Sequence, residues 1–121
     1  MVGTPYCMHN INGVNCWGLV AAYYHERGQD VPNYVINRVN AHEIASAFTA
    51  AFVSGSHGFE KTDTPQEGDV IVFNSKTRNH CGLFIGGKCL HSTPGSGVIL
   101  QEIKDVRGFS SHEFWGKACR R

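Results

Sequence analysis

Cys16, Leu19, Val20, Tyr23 and Tyr24 fall at i, i+3, i+4, i+7 and i+8, an apolar stripe that predicts a helix from Cys16 to Arg27, closed by Gly28. Asn15 is a good N-cap, which puts Cys16 in the first turn. A second helix is predicted behind Asn40 to Glu43, a start resembling a capping box, with Ile44, Ala45, Phe48, Ala51 and Phe52 on one face and Gly55 at its end. The polar, turn-rich stretch 54–66 reads as a loop, and the residues from Pro65 to Asp69 as a turn into the short buried strand Val70 to Phe73. Next, the apolar runs Cys81 to Ile85 and Lys88 to His91 flank Gly86 and Gly87, a pair that predicts a tight hairpin. With those glycines as the loop, Ile85 faces Lys88, Phe84 faces Cys89, Leu83 faces Leu90 and Gly82 faces His91. Alternation then puts His80, Gly82, Phe84, Cys89 and His91 on one face, and Cys81, Leu83, Ile85 and Leu90 on the other. Val98 to Ile103 reads as a further strand after a turn from Thr93 to Gly97, and Phe109 to Trp115 as aromatic surface packing back on the sheet. Helices first and an antiparallel sheet after them predict a single α+β domain over 1–121.

Composition narrows the function classes. The chain has 121 residues, ordinary globular composition, and 11 Lys plus Arg against 10 Asp plus Glu. Without a basic stripe, neither nucleic acid nor an anionic membrane is expected as a partner. No apolar run approaches the length of a membrane span, and the first five residues lack the basic and apolar regions of a signal peptide, so neither element is expected. The 5 Cys and 7 His are the unusual feature, because these residue types build metal sites, disulfides and nucleophiles. Five is odd, and the spacing is too sparse for a disulfide scaffold, so the thiols are expected mostly reduced.

A cysteine at a helix N-terminus sits among free backbone N–H groups and the positive end of the helix dipole, which favour the thiolate. Taken alone, Cys16 is a small core hydrophobe. The hairpin register changes that. It makes His80 and His91 diagonal neighbours with Cβ atoms about 7 Å apart, and Gly82 between them has no side chain to intervene. A thiol, an imidazole to take its proton and a second imidazole to hold the first make a complete nucleophilic set. Zinc is the competing use of these residues. Cys81 points to the face opposite both histidines, which argues against a structural zinc site, although Cys89, His91 and His80 share a face. No metal and no cofactor are expected. Cys7, Cys119, His9, His25, His42, His57 and His112 show no ligand pattern and read as packing or surface residues.

In order along the chain, Gly3 to Tyr6, Asn15 to Val20, Pro65 to Phe73, His80 to Ile85 and Leu90 to Ser92 resemble the NlpC/P60 cysteine peptidases of the papain-like superfamily. The resemblance implies a papain-like fold with N-terminal helices on a central antiparallel sheet. It also implies Cys16 as nucleophile, His80 as general base and His91 as the residue that orients His80. The family typically cleaves the γ-D-glutamyl to diamino acid bond of peptidoglycan stem peptides, which makes the stem peptide the expected partner. The Cys16 backbone N–H is the natural oxyanion donor, with the Tyr6 side chain as a second candidate. Trp17 stands where the cell-wall enzymes usually carry Ser, a variant similar to the phage-tail members, and it implies a virion or host cell-wall location and tail-tip partners. Asn15 stands where the family usually has an Asp that meets the free amine of the stem peptide; Asn keeps the cap and loses the charge. Two alternatives follow: a tail structural or assembly protein that keeps the fold without turnover, and a related cysteine amidase or acyltransferase.

Overall fold

The computed structural model describes residues 16–28, 59–76, 79–93 and 96–117. The predicted second helix lies outside them. The first helix, α1 (Cys16–Glu26), ends where the periodicity says it should. The Gly28 N–H donates to the His25 carbonyl at 3.0 Å, with Gly28 at φ +73° in the left-handed region that L residues avoid.

Six strands follow: β1 (Phe59–Thr62), β2 (Val70–Asn74), β3 (Asn79–Ile85), β4 (Lys88–Thr93), β5 (Gly97–Gln101) and β6 (Ser111–Lys117). They form one sheet in the order β1-β6-β2-β3-β4-β5, with every neighbouring pair antiparallel. The Gly86 and Gly87 hairpin has the predicted register, Ile85 with Lys88, Phe84 with Cys89 and Leu83 with Leu90. Both glycines have positive φ, as a two-residue type I′ turn requires. Glu67 braces this turn, its Oε1 accepting from the Gly86 N–H at 2.9 Å.

Three segments depart from the sequence reading. The expected loop 54–66 contains β1, where only Phe59 is buried and three of the four residues are polar or half-exposed, so no alternation signals a strand. The expected strand Val98 to Ile103 stops at Gln101, and Ile103–Asp105 forms a 3₁₀ turn. Phe109 to Trp115 does not simply lie on the sheet: from Ser111 it is strand β6, inserted between β1 and β2. Local pattern cannot disclose such an insertion, because it depends on pairing partners distant in sequence.

The sheet has two apolar faces. Val70, Val72, Cys81, Leu83, Leu90 and Val98 join Leu19, Val20, Tyr23 and Tyr24 of α1 in the main core, so the helix packs on β3 and β4 through this face. The C-terminal half of α1 is tied down: Tyr24 Oη donates to the Gly68 carbonyl at 2.6 Å, and the Gly68 N–H donates to the Phe84 carbonyl at 2.7 Å. On the other face Ile71, Phe73 and Cys89 pack with Phe84, Ile103, Val106, Phe109 and Phe114.

Candidate active site

His80 is the second residue of β3 and His91 the fourth of β4. The ladder between these strands runs as far as Leu83 and Leu90. Beyond it Gly82 is not a ladder partner of His91, but its missing side chain leaves the space the His91 Cβ and the Cys89 Sγ occupy. Parity therefore holds, and the two imidazoles meet, His80 Nε2 to His91 Nδ1 at 2.8 Å, with rings edge-on at 67°. Phe109 stacks on His80 with ring centroids 5.8 Å apart and a 16° tilt, and Phe73 lies beside it at 5.9 Å. Phe109 is held there because the Ser110 N–H donates to the Asn74 carbonyl at 2.8 Å, an attachment the Ser110 hydroxyl repeats at 3.2 Å.

His91 is buried, at 3 % exposure. Burial, followed by the neighbouring His80, pushes its pKa down to about 4, against a smaller upward effect of Gln101. The second histidine is thus neutral at neutral pH and can accept a hydrogen bond. Gln101 takes its far nitrogen, with Oε1 2.8 Å from His91 Nε2. Gln101 and His91 are diagonal neighbours, since Gln101 pairs with Cys89 and His91 with Ile99. A cleft of about 550 Å³ opens beside the pair, lined among others by His80, His91, Gln101, Arg107 and Phe109.

Cys89 shares the face of the histidines, but burial pushes its thiol up to about 12, so it is a core thiol at neutral pH. Cys81 is buried on the opposite face. Among the described residues no group of three or more His, Cys, Asp or Glu has the geometry of a metal site, and no helix is long and apolar enough to cross a membrane.

Cys16 opens α1, and Trp17 follows it in the same turn; the side chains of both lie outside what the structure describes, as do Tyr6 and Asn15 entirely. Of the predicted set, His80 and His91 are brought together. Sequence reasoning missed Gln101 and Phe109. Gln101 is a polar interruption in an apolar strand, but its register against His91 depends on the turn before Gly97, which the sequence left open. Phe109 was legible only as part of an aromatic segment.

The sequence profile of the NlpC/P60 family matches residues 3–117. The chain belongs to the NlpC/P60 family. Members of this family are generally cysteine peptidases or amidases, many of them acting on peptidoglycan. Among curated proteins none matches the chain. In this NlpC/P60 domain the paired histidines occupy one face of the central antiparallel sheet, next to an open cleft, and the helix that starts at Cys16 packs on two of the same strands.

Proposed function

We propose that this NlpC/P60 domain is a cysteine endopeptidase that hydrolyses peptidoglycan stem peptides at the γ-D-glutamyl to diamino acid bond. Cys16 is the nucleophile, His80 the general base and then acid, and His91 the residue that orients His80. The observation that carries the reading is the 2.8 Å contact between His80 Nε2 and His91 Nδ1, which engages one nitrogen of His80 and leaves Nδ1 as the one for proton transfer.

Helix α1 packs on the face of β3 opposite the histidines, so the thiol must meet His80 around the end of the strand rather than through the sheet. Lengths support that path. The Tyr24 end of α1 is anchored near Phe84. Eight residues of helix back to Cys16 rise about 12 Å, and the four strand residues from Phe84 back to His80 span about 13 Å. A helix running along β3 brings its first residue to the strand end that carries His80.

In the reaction, His80 Nδ1 takes the Cys16 proton and the thiolate attacks the amide carbon. The tetrahedral oxyanion is held by the Cys16 N–H, with Tyr6 as a second donor. The C–N bond breaks as the amine takes the proton from His80. Water, deprotonated by His80, then cleaves the thioester and releases the acid and the thiol. Trp17 and Asn15 flank Cys16 in the sequence and serve substrate recognition. Trp17 favours a phage-tail enzyme acting on the host wall during DNA entry, in contact with tail-tip proteins, while Asn15 favours the second reading, a tail assembly protein without turnover.

Mass spectrometry of fragments released from purified peptidoglycan tests the reading. The wild type should release stem-peptide fragments with a new γ-D-glutamyl terminus, and Cys16→Ala should release none. Identical traces from both proteins would sink it.

A further inference from the structure

Gln101 is a neutral amide held between two groups, and its orientation can be read from one of them. Its Nε2 donates to the Asp105 carbonyl at 3.1 Å. A carbonyl only accepts, so the amide NH₂ must face Asp105, and Oε1 must face His91. Oε1 in turn only accepts, so His91 Nε2 carries the proton of that 2.8 Å contact. A neutral imidazole has one N–H, which leaves the His91 Nδ1 lone pair to accept from His80 Nε2–H across 2.8 Å. In the neutral form of His80, Nδ1 is then the bare nitrogen. The chain of single choices runs from a backbone carbonyl in the 3₁₀ turn, through Gln101 and His91, to the ring nitrogen that must be empty if His80 is to take a proton.

We infer that Gln101 is a positioning residue that sets the tautomer of both histidines, and through them readies His80 Nδ1 as the base. This deepens the peptidase reading and rests on it for the use of His80, but the tautomers can be measured without turnover. The amide suits the task because it is uncharged. A carboxylate in its place would still accept from His91 Nε2 but would favour a second proton on His91 Nδ1, which would then oppose His80 Nε2–H donor to donor. The other ionisable groups on this face or lining the cleft are Cys89, Asp105, Arg107, His112 and His80 itself, and of these five His80 alone is hydrogen-bonded to His91.

The test is ¹⁵N NMR of histidine-labelled full-length protein at neutral pH, comparing wild type, Gln101→Leu and Gln101→Glu, alongside peptidoglycan hydrolysis. In the wild type both rings should show the Nε2–H tautomer. Gln101→Leu should leave His91 a mixture of tautomers and lower kcat about 10-fold with KM little changed. Gln101→Glu should move the His91 titration midpoint upward by at least one pH unit and carry the acid limb of kcat/KM with it. A substitution that merely loosened the fold would lower the melting temperature without moving that midpoint. Unchanged tautomers in Gln101→Leu together with an unmoved His91 midpoint in Gln101→Glu would overturn the inference. Altered tautomers in a protein that releases no fragments would instead uphold Gln101's role and discard the peptidase reading.

Discussion

A methyl group added at Gly82 would stand 3.0 Å from the His91 Cβ, tighter than nearly all real Cβ contacts. The same methyl would meet the Cys89 Sγ at 2.7 Å and the Leu90 carbonyl at 3.0 Å, so two of its three neighbours cannot swing away. Gly82 is therefore the spacer that lets β3 and β4 bring their histidines into contact. Gly82→Ala should destabilise the protein by about 2 kcal/mol, as overpacking in a filled core does. It should also disturb the His80 to His91 contact, so that hydrolysis falls more than the loss of folded protein explains. Urea unfolding and turnover, measured on the same samples, decide it; full activity per folded molecule would show that the contact does not depend on Gly82.

The anchor at the other end of α1 is a second close approach. Gly68 has φ +86°, and a Cβ there would lie 2.5 Å from the Tyr23 hydroxyl. Gly68→Ala combines backbone strain with a clash, each of which costs about 1–3 kcal/mol. Tyr24→Phe is gentler: it removes the 2.6 Å donor from the buried Gly68 carbonyl, at about 1–2 kcal/mol. Thermal melts should rank the wild type above Tyr24→Phe and Tyr24→Phe above Gly68→Ala.

Stability should depend on pH through two buried groups that fold in their neutral forms. His91 has a pKa of about 4 in the fold against 6.5 when free. Between those values the unfolded chain binds the extra proton, so stability is complete above about 6.5, falls as pH drops toward 4, and levels off below; the loss is on the order of 3 kcal/mol. Cys89 behaves in the opposite direction. Its pKa is about 12 in the fold against 9.0, so the unfolded chain loses its proton first and stability falls as pH rises above 9. Denaturant melts across pH should show a plateau between these limits. Replacing His91 by Asn should flatten the acid arm, and an acid arm that persists in that variant would assign it elsewhere.

Thiol chemistry separates the cysteines. Cys81 and Cys89 are buried, and Cys89 is further disfavoured as a thiolate, so neither should react with iodoacetamide at neutral pH until urea unfolds the protein. Under the proposed mechanism Cys16 reacts first, and His80→Ala slows it about 10-fold or more because the proton acceptor is gone. Peptide mapping after short exposures reads the order. Modification of Cys81 or Cys89 ahead of Cys16 in native buffer would contradict the assignment.

Much of the fold and of the site is legible in the sequence. The α1 stripe, its end at Gly28, the Gly86 and Gly87 turn and the pairing of Phe84 with Cys89 follow from periods of 3.6 and 2 and from the backbone freedom of glycine, all of them local. Because alternation is strict, a two-residue loop sufficed to put His80 and His91 on one face. The polar edge strand β1 was hidden for the converse reason: with one buried side chain it carries no periodic signal.

The tertiary structure decided what depends on partners far apart in sequence. It placed β6 between β1 and β2, set Phe109 against His80, and brought Gln101 to the far nitrogen of His91. The sequence by itself determined which side chains share a face and which residue types are available for chemistry, since the alternation of a strand settles the first and composition the second. Only folding determined which nitrogen of each ring is occupied, because a proton's position is chosen by the acceptor opposite it, and that acceptor arrives from another strand.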